Sequence, residues 1–178
     1  MEVKIIRSRR KTVAIQITPA GEVLVRCPKY MTVSEINRFV RSKQSWIEEK
    51  LSLIPPPQPP LTQAELKDLA ARAKEDLPQR VSRYASQIGV SFGRITIRSQ
   101  KSRWGSCSAK GNLNFNCLLM LAPPEVRDYV VVHELCHRKH MNHAAPFWAE
   151  VERVMPGFRL HRQWLKDNGA ILIARLPE

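Results

Sequence analysis

No apolar run in this 178-residue chain approaches the roughly 20 residues that a helix needs to cross a membrane. Its opening, Met1-Glu2-Val3-Lys4-Ile5-Ile6-Arg7, lacks the pattern of a signal peptide, so a cytoplasmic location without a membrane partner is the expectation. Cysteine is sparse. Cys27, Cys107, Cys117 and Cys136 contain no C-x-x-C pair and no framework dense enough for a disulfide-stapled secreted domain, so reduced thiols follow and Cys136 reads as a packing residue.

Acidic residues are also scarce. Sixteen Asp and Glu stand against 29 Lys and Arg, a net charge of +13 with a pI near 10.1. The excess is spread over the chain, +6 in residues 1–53 and +7 in residues 61–178. Between Gln79 and Pro124 there is no acidic residue at all, yet Arg80, Arg83, Arg94, Arg98, Lys101, Arg103 and Lys110 lie there. Such a surface attracts polyanions, nucleic acid and acidic proteins included, or serves solubility alone, and composition leaves both readings open.

What is present concentrates in Tyr129-Val-Val-Val-His133-Glu134-Leu-Cys136-His137-Arg-Lys-His140-Met-Asn142-His143. On a helix with about 3.6 residues per turn, His133 and His137 lie one turn apart on one face and converge on one ion, with Glu134 beside that face. Pro123-Pro124 suits a helix start, and Val130, Val131 and Val132 make the helix apolar enough to be buried. Buried histidines and a buried glutamate need partners, and a metal supplies them. Three protein ligands on Zn²⁺ leave a fourth position open for water, whose pKa then falls to about 7, and a neighbouring glutamate takes its proton as it attacks a carbonyl. That is the chemistry of H-E-x-x-H.

The third ligand is a choice between His140 and His143. His140 shares the helical face, but three ligands in line crowd an ion from one side. Asn142 is suited to end the helix in a left-handed conformation and swing His143 back to the metal, so His143 is favoured and His140 is assigned to supporting or surface duty. One Zn²⁺ per chain is the expected ion, with Ni²⁺, Mn²⁺ and Fe²⁺ as alternatives.

Together with Ser102-Arg-Trp104-Gly105-Ser106-Cys107-Ser108, Asn114-Phe-Asn116 and Phe147-Trp148, this stretch resembles the bacterial YgjP-like metallopeptidase family, itself similar to the WLM and SprT-type zinc peptidases. The resemblance implies a zincin-like fold, peptide or protein substrates, and a site of His133, His137, His143 and Glu134. Ala144 stands where the family usually has a small polar residue.

The rest of the chain is read by period. Val3–Arg7, Thr12–Thr18 and Glu22–Arg26 predict three short antiparallel strands, with Pro19-Ala-Gly21 as a turn, and Thr32-Val-Ser-Glu35 opens an amphipathic helix through Leu51. Arg7, Arg9, Arg10 and Lys11 form a basic cluster at a hairpin. Residues 54–60, with five prolines, predict a stiff connector. Thr62-Gln-Ala-Glu65 caps a helical stripe running to Gly89, kinked or restarted at Pro78, which packs against the metal helix. Arg94–Arg98 and Gly111–Asn116 predict a hairpin joined by the loop Ser102–Lys110, the candidate to guide substrate by strand addition. Ala170–Ala174 reads as a last short strand. Arg98, Lys101, Arg103 and Trp104 are candidates for binding substrate or polyanion, and Arg103 and His161 for stabilising the oxyanion.

The expected fold is α+β: a strand-rich N-terminal lobe (1–53), the connector (54–60), and a helical zincin-like metallopeptidase lobe with a small antiparallel sheet (61–178). The expected function is a zinc-dependent metallohydrolase, a metallopeptidase using a metal-activated water with Glu134 as general base. The alternative is a nucleic-acid-associated basic protein whose metal site is secondary or acts on DNA-bound proteins.

Overall fold

The computed structural model describes residues 3–18, 21–52 and 58–177. The chain divides into two compact units, Met1–Gln58 and Pro59–Glu178. Pro19-Ala20 of the expected turn, and residues 53–57 with most of the expected connector, lie outside the described residues.

In the first unit, β1 (Val3–Ser8), β2 (Ala14–Ile17) and β3 (Val23–Pro28) form a sheet in the order β1-β3-β2. The strands are not all antiparallel as expected. β2 pairs antiparallel with β3, but β1 runs parallel to it, from Val3 opposite Val23 to Ser8 opposite Pro28. Burial explains the order: Val23, Val25 and Cys27 are almost fully buried, so β3 takes the centre, and the other two strands flank it. The expected single helix through Leu51 is two, α1 (Val33–Ser42) and α2 (Gln44–Ser52), separated at Lys43. Thr32 and Glu35 form the predicted capping box, with each side chain accepting from the other's backbone N–H at 3.3 and 2.7 Å. Ile36, Val40 and Ile47 close the core over β3.

The second unit opens with α3 (Gln63–Ile88), again boxed by Thr62 and Glu65 and ended by Gly89 in the left-handed conformation. It neither stops nor restarts at Pro78. The buried stripe Leu69, Ala73, Leu77, Val81, Tyr84, Ala85 and Ile88 runs past the proline and outweighs one lost backbone hydrogen bond. Next come β4 (Ile95–Arg98), β5 (Gly105–Cys107) and β6 (Leu113–Asn116), a sheet in the order β4-β6-β5. The expected Arg94–Asn116 hairpin is not formed, because β4 runs parallel to β6 and the antiparallel partner is β5, inside the stretch expected to be a loop. A tight turn makes this hairpin: Gly111, at φ 81°, donates its N–H to the Ser108 carbonyl at 2.8 Å. The sheet is therefore mixed, and Gly-Ser-Cys carries no alternation that would reveal a strand.

A short 3-10 turn, Cys117–Leu121, leads to α4 (Pro124–Cys136), followed by α5 (Ala145–Val154) and α6 (Phe158–Ala174). Ala170–Ala174 is the last turn of α6, not a strand, since a short apolar run fits either period until its neighbours decide it. α4 lies against α3, α5, α6 and β5, and Val131, Val132, Leu135 and Cys136 are fully buried there. Arg80 locks α3 to α4, gripping Asp76 through two nitrogens at 2.7 and 2.9 Å and Asp128 at 2.6 Å. All four cysteines are free. Among the described residues, no helix is long and apolar enough to cross a membrane.

Candidate active site

His133 and His137 project from the end of α4, where Pro124 begins the helix and His137 is already its C-cap. The helix stops there, so His140 does not share a face with them. Its backbone carbonyl instead lies 3.0 Å from His137 Nδ1, which fixes the proton on that nitrogen and turns Nε2 toward the cluster. The chain then turns at Asn142, but not by a left-handed residue, since among the described residues no non-glycine has positive φ. The Asn142 side chain accepts the Ala144 N–H at 3.2 Å, a local turn that offers the backbone the same reversal. Ala144 is the N-cap of α5 without a capping side chain.

This turn brings His143 back. Its Nε2 is 3.0 Å from His133 Nε2, and the candidate ligand atoms of His133, His137 and His143 all lie within 4.8 Å of one another. Two nitrogens held at about 2.0–2.1 Å on a tetrahedral ion would be about 3.3 Å apart, so this set could hold one transition-metal ion. Phe147, fully buried on α5, is the common seat: its ring centroid is 4.9, 4.7 and 4.8 Å from those of His133, His137 and His143. Burial first, then the neighbouring imidazoles, depress His133 to about 3, and burial also lowers His137. Both are neutral at physiological pH, as metal ligands must be. His133 Nδ1 is buried without a hydrogen-bond partner.

Glu134 is the more unusual residue. It is 6% exposed, makes no ion pair among the described residues, and burial pushes its carboxyl up to about 8, with Arg103 pulling the other way. Gly105 of β5 lies against it so closely that a Cβ there would sit 2.7 Å from Glu134 Cγ and Oε1. His133 and Glu134 line one cavity of about 200 Å³ with Trp104, Gly105, Tyr129, Val130 and Leu165.

Asn116 holds the loop that delivers these residues. It is fully buried; its Nδ2 donates to the carbonyls of Gln100 and Arg103 at 2.7 and 3.1 Å, and its N–H to that of Trp104 at 2.9 Å. Its Oδ1 accepts the Leu118 N–H at 3.1 Å. Asn116 and Phe147 belong to the motifs that carry the family resemblance, though their contacts here were not legible in it, and residue patterns gave no role to Tyr129 or Arg162. Tyr129, one turn before His133, meets its ring edge-on at 5.9 Å, and burial raises its hydroxyl to about 12. Arg162 lies 4.4 Å over Trp148, which stacks on His143 with ring centroids 5.7 Å apart. The i, i+4 spacing of Tyr129 and His133 was a readable signal, whereas the others meet the cluster only through tertiary packing.

The remaining candidates scatter. Arg103 and Trp104 are at the cavity and its charge, while Arg98 and Lys101 line hollows beside α3, at the β4 side of the sheet. His161, on α6, is outside the three-histidine cluster. Of the basic run, Arg80 is neutralised by Asp76 and Asp128, and Arg83 donates to Tyr84 Oη at 2.8 Å.

Converging imidazoles beside a buried carboxylate are the equipment of a metal-dependent hydrolase, and comparison with known proteins gives that class a family. A model of the YgjP-like metallopeptidase domain matches residues 11–68 and 58–168, and the chain belongs to that family. Among solved structures it is similar to the crystal structure of the metallopeptidase zymogen abylysin of Pyrococcus abyssi, at 23% identity and a TM-score of 0.47, covering 51% of this chain and 93% of that one. It is also similar to that of the zymogen jannalysin of Methanocaldococcus jannaschii, at 22% identity and a TM-score of 0.45, covering 53% and 95%. No curated protein matches the chain.

Proposed function

We propose that the protein is a zinc metallopeptidase in which His133, His137 and His143 hold the metal and Glu134 is the general base. The observation that carries this reading is the shared cavity of His133 and Glu134, which sets a buried carboxyl beside three converging imidazoles. Zinc, when bound, supplies a Lewis acid and lowers the pKa of the attacking water.

The chain's own residues do the rest. The His140 carbonyl orients His137, Phe147 fixes the three ring planes, and Gly105 leaves Glu134 the room its carboxylate occupies. Glu134, lining the same cavity as His133, can accept a proton from the nucleophile and return it to the leaving amine. β5, not β4, is the strand beside Glu134, and its outer edge is where an extended peptide would lie.

Glu134→Gln tests the assignment. The variant should keep about one zinc per chain by elemental analysis while hydrolysis of fluorescein-labelled casein falls by about 10²-fold or more. Hydrolysis within a few-fold of wild type would remove Glu134 from the mechanism, and wild-type protein that takes up no metal would overturn the reading as a whole.

A further inference from the structure

The most one-sided charge in the second unit is not at the metal cluster. A hollow of about 540 Å³ lies between α3 and β4, lined by Lys74, Pro78 and the whole stretch 94–98. A second, of about 410 Å³, lies further along α3, lined by Gln63, Lys67 and Ala70 of that helix, by residues 99–101, and by Leu176 and Pro177 near the C-terminus. The α3 positions 63, 67, 70, 74 and 78 follow helical spacing, so one stripe of the helix forms one wall over about 22 Å. Lys67, Lys74, Arg94, Arg98 and Lys101 line these two hollows, and Arg98 also donates from Nε to Asn114 Oδ1 of β6 at 3.3 Å. No Asp or Glu lines this groove, and among the described residues none of the five forms an ion pair.

The other wall is a strand edge. β4 pairs only with β6, and the register, Ile95 opposite Leu113 with the Leu113 N–H on the Arg94 carbonyl at 2.9 Å, points the amides of Arg94, Thr96 and Arg98 at β6. The N–H and C=O groups of Ile95 and Ile97 therefore face the groove. Pro78 adds to this on the helix side, since it has no N–H to give the Lys74 carbonyl. Side chains on β4 alternate, so Arg94 and Arg98 share one face with Thr96 while Ile95 and Ile97 pack on the core.

We propose that this groove docks an extended acidic peptide segment of a partner protein, which adds as a strand to the free edge of β4 and presents carboxylates, at alternate positions, to the basic side chains. The 22 Å wall accommodates about seven residues in extended conformation. Single-stranded nucleic acid is the lesser fit, because no aromatic side chain lines either hollow to stack a base. The groove lies across the sheet from β5, so docking there leaves the edge beside Glu134 open. A protein held at β4 is concentrated near the metal cluster without occupying it.

The test needs no catalysis, so its failure leaves the peptidase reading untouched. Fluorescence anisotropy with the Glu134→Gln protein would follow a fluorescein-labelled (Glu-Thr)5 decapeptide, the same peptide N-methylated at alternate residues, and a dT decamer. Binding of the first peptide should weaken at least about tenfold in Lys74→Glu/Arg94→Glu/Lys101→Glu, all exposed positions, and stay within twofold in the exposed control Lys166→Glu. N-methylation should weaken it similarly, because it keeps the charges and removes strand donors. No binding of the peptide, equal losses in the control variant, or equal binding of the N-methylated peptide would overturn the proposal. Tighter binding of the dT decamer than of the peptide would assign the groove to nucleic acid instead.

Discussion

Gly105→Ala adds one methyl group at the point where β5 meets Glu134. The new Cβ would sit 2.7 Å from Glu134 Cγ and Oε1 and 2.9 Å from Cδ, against about 3.4 Å for an ordinary close contact, so the carboxylate must retreat by about 0.7 Å. Glu134 is 6% exposed and β5 is pinned through Asn116, so the side chain can give way only by shifting within the cavity that it shares with His133. Overpacking of this kind costs about 1–3 kcal/mol of stability. A catalytic group displaced by that order of distance costs about 10²-fold in rate. The nearest atoms to the new methyl all belong to Glu134, so metal content should stay at the wild-type level. The assay is casein hydrolysis and zinc stoichiometry for wild type, Gly105→Ala, Glu134→Gln and the double variant. If the glycine acts through the glutamate, the double variant should be no slower than Glu134→Gln alone. Wild-type rates in Gly105→Ala, or a further tenfold loss in the double variant, would refute the reasoning.

Three further outcomes are expected. His143→Ala should lose most of the zinc, measured by elemental analysis, while His140→Ala keeps it, since only the backbone carbonyl of His140 supports the cluster. Asn116→Ala removes three side-chain hydrogen bonds of a fully buried amide and should lower stability by about 2–4 kcal/mol in urea unfolding, with activity lost before the fold. In chelator-treated Glu134→Gln protein, which lacks the opposing proton uptake of the buried carboxyl, the unfolded chain takes up protons near 6.5 that folded His133 refuses down to about 3, so stability should fall as pH drops through that window. The urea midpoint between pH 7.5 and 5 measures this, and adding His133→Gln should reduce the slope to what the lowered His137 leaves.

Local sequence was sufficient where the physics is local. The two Thr-x-x-Glu boxes start helices because each pair satisfies its own backbone donors, and Pro123-Pro124 starts α4 for the same reason of end geometry. His133, Glu134 and His137 are adjacent on one helix whatever surrounds it. The family was legible for the same reason: its residues are contiguous or nearly so.

Tertiary structure decided what depends on neighbours distant in the chain. β1 became parallel because β3 is the strand with most to bury, and Gly105–Cys107 became a strand because Leu113–Phe115 lies opposite it. Ala170–Ala174 stayed helical within α6, since a five-residue apolar run has no period of its own. The run of positive charge read as one feature was divided by the sheet: Arg103 at Glu134, Arg94 and Arg98 on the β4 side, and Arg80 consumed between two helices. The burial of Glu134 belongs to the fold alone, because a carboxyl on a helix loses its water only when other elements, β5 above all, pack over it.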